Sequence, residues 1–201
     1  MDAPAGSHAV LVPVKSFRGA KGRLGRALAP AARSALARSM AEHVVVASAP
    51  AAVAVVHDDA DVGTWAENLG ALAIDAPPGD LDAAVDLGRR RLAELGFSRV
   101  TIAHADLPLA HNLDRFAAAK GIVLVADRQR SGTNVISLPA GCDFSFQYGL
   151  GSFARHLAEA RRRSDDVTVD DDPLLAFDVD VPADLAELPT WLSGVVDVVS
   201  K

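Results

Sequence analysis

The sequence predicts an α/β fold, a mostly parallel sheet with helices on both faces and a small antiparallel element. Short apolar runs alternate with helix-length stretches from residue 9 to residue 188, the pattern of strands that feed covering helices. Half of the 201 residues are hydrophobic, enough for the core of one domain. Residues 9–14 (AVLVPV) read as a buried strand, and the polar, glycine-rich stretch 15–25 as a loop. Residues 31–47 form an alanine-rich helix with Leu36, Met40 and Val44 on one face at a spacing of four. Strands at 53–57 and 71–74 flank a short helix at 61–69. The loop Asp75-Ala76-Pro77-Pro78-Gly79 leads into a helix at 81–95 that turns Leu81, Val85, Leu92 and Leu95 inward. Strands at 99–104 and 122–126 follow, and 133–138 with 144–147 read as a later antiparallel pair. A helix at 152–162, a last long strand at 174–177 and a short helix at 182–188 close the series. The domain is expected to span 9–188, between a disordered N-terminus (1–8) and a C-terminal tail (189–201).

Formal net charge is −6, which argues against nucleic acid as a partner, since that asks for a basic surface. No apolar run approaches the ~20 residues of a membrane span, and the first residues lack a charged-then-apolar leader. A cytoplasmic protein with no membrane partner is expected. The single cysteine, Cys142, excludes an internal disulfide framework and a cysteine-built metal site. Residues 191–199 (WLSGVVDVV) are apolar enough to pack on the core or on a second copy, so a homodimer is one assembly the sequence allows.

Chemistry gathers at a few loops. In Phe177-Asp178-Val179-Asp180-Val181-Pro182, strand alternation would set Asp178 and Asp180 on one face and Val179 in the packing. Adjacent carboxylates repel unless a cation lies between them. Hard oxygen ligands suit Mg²⁺ or Mn²⁺, which keep some waters and bind substrate phosphates. A pair of turn residues before a helix fits the same residues. Asp106, ending the run Thr101-Ile102-Ala103-His104-Ala105, would bring a third carboxylate to the edge where ligands of α/β sheets bind. His104 reads as a strand-end or core histidine. The loop after the first strand holds Lys15 and Lys21, two of only four lysines, with Arg18, Arg23 and Arg26 beside three glycines. Glycines let backbone amides approach a ligand and the cations answer a polyphosphate, although the spacing is neither a P-loop nor GxGxxG. Asp127 to Val135 is a further candidate loop. Tyr148-Gly149-Leu150-Gly151-Ser152 places Ser152 as a helix N-cap whose free N–H groups suit an anion; an ordinary capped helix explains it equally. In Asp80-Leu81-Asp82, a carboxylate could accept from guanine N1–H and N2–H₂ or simply cap the helix.

In order along residues 9–188, these segments resemble the guanylyltransferases of coenzyme F420 biosynthesis, which act on 2-phospho-L-lactate or phosphoenolpyruvate. The resemblance rests on Val12-Pro13-Val14-Lys15 with Ala20-Lys21-Gly22-Arg23-Leu24, Asp106-Leu107-Pro108-Leu109, Ser131-Gly132-Thr133-Asn134-Val135, Tyr148 to Ser152, and Asp178 to Leu185. It implies a single-domain nucleotidyltransferase fold, glycosyltransferase-A-like and Rossmann-related. It also implies a reaction of GTP with a small phospho-acid that gives a guanosine diphospho-acid and pyrophosphate. Carried over, the metal-binding aspartates are Asp106, Asp178 and Asp180, and the phospho-acid contacts Thr133, Gly149 and Ser152. The nucleotide contacts are Lys15, Lys21 and Arg23, with Asp82 toward guanine. Where relatives often have Gly-Leu-Asn, this chain has Asp80-Leu81-Asp82, which makes the guanine contact the departure from the pattern.

Other classes fit less of the chain. An Asp-x-Asp-x-Val segment also opens haloacid-dehalogenase-like phosphatases, but only 21 residues follow Asp180, too few for the rest of such a domain. A nucleotide-sugar glycosyltransferase would use the aspartate pair yet gives no reason for Thr133 and the turn at 149–152. A non-catalytic nucleotide binder would have no need of all three aspartates and both lysines. The acceptor acid is left open among phosphoenolpyruvate, 2-phospho-L-lactate and 3-phospho-D-glycerate, with phosphoenolpyruvate favoured.

Overall fold

The computed structural model describes residues 7–188. The described residues form one seven-stranded sheet in the order β3-β2-β1-β4-β6-β5-β7. The strands are β1 (His8–Val14), β2 (Ala52–His57), β3 (Leu72–Asp75), β4 (Arg99–Ala103), β5 (Ile122–Ala126), β6 (Thr133–Pro139) and β7 (Val167–Val169). Helices α1 (Pro30–Ala47), α2 (Ala60–Asn68), α3 (Leu81–Glu94) and α4 (Ser152–Arg163) cover it. Short 3₁₀ turns lie at Gly22–Arg26, Leu113–Ala118 and Pro182–Glu187. All neighbouring strands are parallel except β6, which runs antiparallel to both β4 and β5.

Strand periodicity of two builds the core on both faces. Ala9 and Leu11 of β1 share a cluster with Val85 and Leu92 of α3, whereas Val10 and Val12 share one with Val44 of α1 and Trp65 of α2. Helix α3 approaches β1 closely enough that a Cβ on Gly88 would lie 2.8 Å from a methyl of Leu11. A third cluster joins Leu24, Leu36 and Met40 to Phe177 and Val179, so the loop after β1 and the segment holding Asp178 and Asp180 share one apolar anchor.

This topology creates the crevice. The chain moves outward from β1 to β2 and β3 and then returns to place β4 on the other side of β1. Ligands of open α/β sheets bind at such a switch point, beyond the carboxyl ends of the strands. The reversal of β6 brings its first residue, Thr133, to the same edge as the last residues of β4 and β5.

Several expectations change. His8, expected in a disordered N-terminus, opens β1, and Ser7 accepts a backbone hydrogen bond from Ser98 at 3.0 Å; residues 1–6 lie outside the described residues. So does the tail 189–201 with its apolar run at 191–199, on which the homodimer expectation rested. Residues 144–147 form no strand. Alternate N–H groups here are taken by helix side chains, Ser145 N donating to Glu159 Oε1 and Gln147 N to His156 Nε2, as is Tyr148 N by Asp82 Oδ1, while Phe144 N turns back to Cys142 O. The antiparallel partners of β6 are instead β4 and β5. The predicted long strand at 174–177 is a turn, because Asp172 Oδ1 accepts from Leu174 N and Leu175 N, and Asp172 O from Ala176 N. The strand of that region is β7, seven residues earlier, whose short alternation Val167-Thr168-Val169 is easily passed over. Among the described residues, no helix is long and apolar enough to cross a membrane.

Candidate active site

The loop after β1 is built by bonds to α1. Arg33 donates through Nε to Ala20 O and through Nη1 to Leu28 O, and Ser34 Oγ donates to Phe17 O at 2.8 Å. Leu24, fully buried, pins the 3₁₀ turn. Lys21, at its start, takes a left-handed φ of 54°, uncommon for a side chain with a Cβ. This directs its ammonium inward. Lys21 Nζ lies 2.5 Å from Asp106 Oδ2 and 3.2 Å from Asp180 Oδ1, and Arg23 Nη1 lies 3.1 Å from Asp180 Oδ2. Lys15 Nζ reaches the loop before α3 and donates to Gly79 O at 3.0 Å. Arg18 turns away and pairs with Asp61 of α2.

The aspartate segment keeps its predicted alternation without being a strand. Phe177 and Val179 are buried, Asp178 and Asp180 partly exposed, and Val179 N donates to Asp106 O at 3.2 Å. Asp184 holds the turn. Its Oδ2 accepts from Asp180 N and Val181 N at 2.8 Å each, and its Oδ1 from Arg128 Nη2 at 2.7 Å. The Arg128 guanidinium lies 4.3 Å over the Phe177 ring. Removing the Asp184 carboxylate would unpair two backbone N–H groups and leave Arg128 with Glu187 alone, 2.7 Å from its Nη1. Asp184→Ala is therefore expected to cost about 1–3 kcal/mol in urea unfolding and to lower kcat in steady-state kinetics.

Electrostatics separate the three carboxylates. Burial disfavours charge on Asp106, but the Lys21 ammonium outweighs it and holds that carboxyl below its ordinary range. Burial, and then the charges of Asp106 and Asp180, push Asp178 up to about 6. Asp106 Oδ1 is buried with no hydrogen-bond partner. Among the described residues no three His, Cys, Asp or Glu side chains gather into a ready metal cage; between Asp106 and Asp180 stands Lys21.

Two clefts meet at this point. The larger, about 400 Å³, runs from Asp106, Asp178 and Asp180 to Thr133, Gly149 and Ser152. The smaller, about 260 Å³, is lined by Lys15, Phe17, Lys21 and Met40. His104 and Asp106 line both. Burial holds His104 neutral, its Nε2 has no partner, and its ring lies 5.0 Å from that of Tyr148.

The larger cleft is shaped by tight loops. Asp127 accepts from Ser131 N and Gly132 N, and a Cβ on Gly132 would sit 2.7 Å from its Oδ2. Gly149 has φ 101° and Gly151 φ 73°, conformations that favour glycine. The N-cap of α4 is Gly151 rather than Ser152, which is the buried first helical residue. Two expected anion donors are already engaged: Ser152 N donates to Gly149 O and Phe153 N to Ser131 O. Asp80 is the N-cap of α3, and Asp82 accepts from Tyr148 N at 2.7 Å.

Residues 8–195 match the family described as guanylyl transferase, CofC-like. The chain belongs to this family. It is 41% identical over 187 residues to the phosphoenolpyruvate guanylyltransferase of Rubrobacter xylanophilus, covering 89% of this chain and 91% of that one. It is 32% identical over 185 residues to the 2-phospho-L-lactate guanylyltransferase of Methanothermobacter thermautotrophicus, covering 89% and 82%. A nucleotidyl transferase structure from Methanothermobacter superposes with a TM-score of 0.64 at 14% identity, covering 96% and 99%. The fold of this CofC-like chain is thus the single-domain nucleotidyltransferase fold its sequence resembled. Residues that sequence reasoning passed over hold the site together. They are Arg33 and Ser34 under the lysine loop, Asp184 under the aspartate pair, His156 beneath Thr133, and Asn134, whose Nδ2 donates to Leu175 O at 3.0 Å. Asp184, four residues beyond Asp180 and within the 3₁₀ turn Pro182–Glu187, carried the one readable signal.

Proposed function

We propose that this CofC-like protein transfers the guanylyl group of GTP to the phosphate of a 2-phospho-acid, phosphoenolpyruvate first among them, in cytoplasmic coenzyme F420 biosynthesis. One observation carries the reading. A cation-lined cleft and a second cleft of turns and hydroxyls share Asp106 and His104, so two anionic substrates can meet across one carboxylate. The relatives' names give the base and the acceptor class.

An acceptor phosphate oxygen forms the new bond to the α-phosphorus of GTP. The bond from that phosphorus to the bridging oxygen breaks, and pyrophosphate leaves with the electron pair. Positioning and charge neutralisation dominate such a transfer. Lys15, Lys21 and Arg23 bind the triphosphate and offset the leaving pyrophosphate. Thr133, Gly149 and Ser152 orient the acceptor. Asp82 can offer guanine its second carboxylate oxygen, the first being engaged by Tyr148 N. A phosphate monoester is anionic at pH 7, so no general base is required, in keeping with a neutral His104.

The donor set fits a hard divalent cation. The buried, unpartnered Asp106 Oδ1 and the mutual repulsion that raises Asp178 both ask for positive charge. Asp106, Asp178 and Asp180 would hold Mg²⁺, with Mn²⁺ also suited. When bound, the ion supplies charge neutralisation between the acceptor phosphate and the α-phosphate.

The deciding experiment offers GTP and Mg²⁺ with phosphoenolpyruvate, 2-phospho-L-lactate or 3-phospho-D-glycerate in turn. Released pyrophosphate is assayed and the product weighed by mass spectrometry. A guanosine diphospho-acid from phosphoenolpyruvate is the expected product. Release of no pyrophosphate with any of the three would overturn the reading.

A further inference from the structure

His156 lies on α4, fully buried, and lines neither of the two clefts. Its two ring nitrogens have opposite duties. Gln147 N, a backbone donor, gives its hydrogen to Nε2 at 2.8 Å. That nitrogen must be unprotonated, so in the neutral ring the hydrogen sits on Nδ1. Nδ1 lies 3.0 Å from Thr133 Oγ1. The only hydrogen available for that contact belongs to the histidine, so Thr133 Oγ1 accepts. Its own hydroxyl hydrogen is left to point away from His156, and Thr133 lines the larger cleft.

From this geometry we propose that His156 is a positioning residue that fixes Thr133 as a hydrogen-bond donor toward the acceptor's phosphate. The inference rests on the assignment of the larger cleft to the acceptor. The relay begins at Gln147, two residues before Gly149, so the backbone of the acceptor turn itself selects the tautomer. A turn out of place frees Nε2, and the direction of the Thr133 hydroxyl is lost with it. The Tyr148 ring, 4.8 Å away and edge-on, and the Phe144 ring at 5.8 Å wall in the imidazole. Burial also holds His156 down to about 4, so at pH 7 the ring is neutral and cannot donate from both nitrogens. With one lone pair engaged by His156 and its hydrogen aimed at the cleft, the Thr133 hydroxyl presents a donor to an anionic phosphate oxygen, the form that attacks.

The test has two arms. Long-range ¹H–¹⁵N correlation on histidine-¹⁵N-labelled protein, with His156→Phe to assign the signal, should show protonated Nδ1 and bare Nε2. Titration with phosphoenolpyruvate should shift the Nδ1 resonance. An Nε2–H or averaged tautomer overturns the proposal whatever the enzyme turns over. In kinetics, His156→Phe should raise the acceptor KM about tenfold or more, the scale of one hydrogen bond to a charged group, and leave the GTP KM within about twofold. His156→Asn, whose Nδ2 can replace Nδ1 as donor, should recover most of that loss. In a Thr133→Val background His156→Phe should add nothing. Equal rises in both KM values, or additive losses in the double variant, overturn the proposal. Should His156→Phe fail to fold, His156→Asn assigns the signal instead, and the tautomer measurement with the comparison of Thr133→Ser and Thr133→Val decides it. A wild type that turns over no acid overturns the function reading instead, and the tautomer arm separates the two failures.

Discussion

Replacing Asp178 by asparagine is expected to give a protein that melts higher at pH 7 and no longer transfers guanylyl groups. The folded chain raises the Asp178 carboxyl from 3.8 to about 6, so holding it ionised opposes folding. At ~1.36 kcal/mol per pKa unit, discounted for its partial exposure, the cost is about 1–2 kcal/mol. That corresponds to roughly 2–8 °C in a chain of this size. The sign follows from the direction of the shift. A carboxyl raised on folding is penalised wherever it is ionised, so the asparagine gain is full above about pH 6. It fades as pH falls and vanishes below the unfolded value near 4, where both side chains are neutral. Added MgCl₂ should raise the wild-type Tm through binding to the folded state and should raise that of Asp178→Asn much less. Thermal melts at pH 4 and 7, with and without Mg²⁺, check all of this. Full turnover by Asp178→Asn would remove Asp178 from the site.

Lys21→Met is expected to have the largest combined effect on stability and rate. Its ammonium is the charge partner of a buried carboxylate, and removing one member of such a pair leaves the other uncompensated at about 3–5 kcal/mol. Both Asp106 and Asp180 would then face each other without the intervening cation. Turnover should fall about 10²–10³-fold, the scale of losing one preorganised electrostatic contact. Asp106→Asn in the Lys21→Met background should restore much of the stability and none of the activity, because the unpaired charge goes but the carboxylate shared by both clefts goes too. Urea unfolding and kcat/KM of the two single variants and the double variant close the cycle. A Lys21→Met chain as stable as wild type would show that the ion pair does not hold Asp106. Lys21→Arg would not be conservative, since a planar fork cannot replace a compact ammonium seated between two carboxylates.

The sheet and its helices were legible because their apolar periods are long and regular. Leu36, Met40 and Val44 sit buried on one face of α1, as their spacing requires. Lys15, just after β1, and Asp106, three residues after β4, arrive at the predicted edge. What failed was local. Residues 144–147 and 174–177 are apolar enough to be strands, yet Asp172 turns the second through local bonds to Leu174 N and Leu175 N, and Glu159 and His156 of α4 accept from Ser145 N and Gln147 N in the first, competition that leaves no periodic trace. Asp178 and Asp180 do share a side, because Phe177 and Val179 are buried between them, although no strand enforces it. The chemistry of Asp106, Lys21 and the aspartate pair could be read from residue types. Their mutual contacts could not, since Lys21 sits between carboxylates 85 and 159 positions away.

That last span bears on when during folding the protein becomes competent. A bond joining residues 159 apart closes one of the longest loops the chain can make, and loop closure of this length comes late, after local contacts have formed. The hairpin of β5 and β6, by contrast, is local and can assemble its share of the larger cleft early. The lysine therefore reaches its second carboxylate only in a chain whose beginning and end have both been placed. Turnover becomes a report on completed folding, and a half-assembled molecule whose β5–β6 hairpin is already formed stays silent.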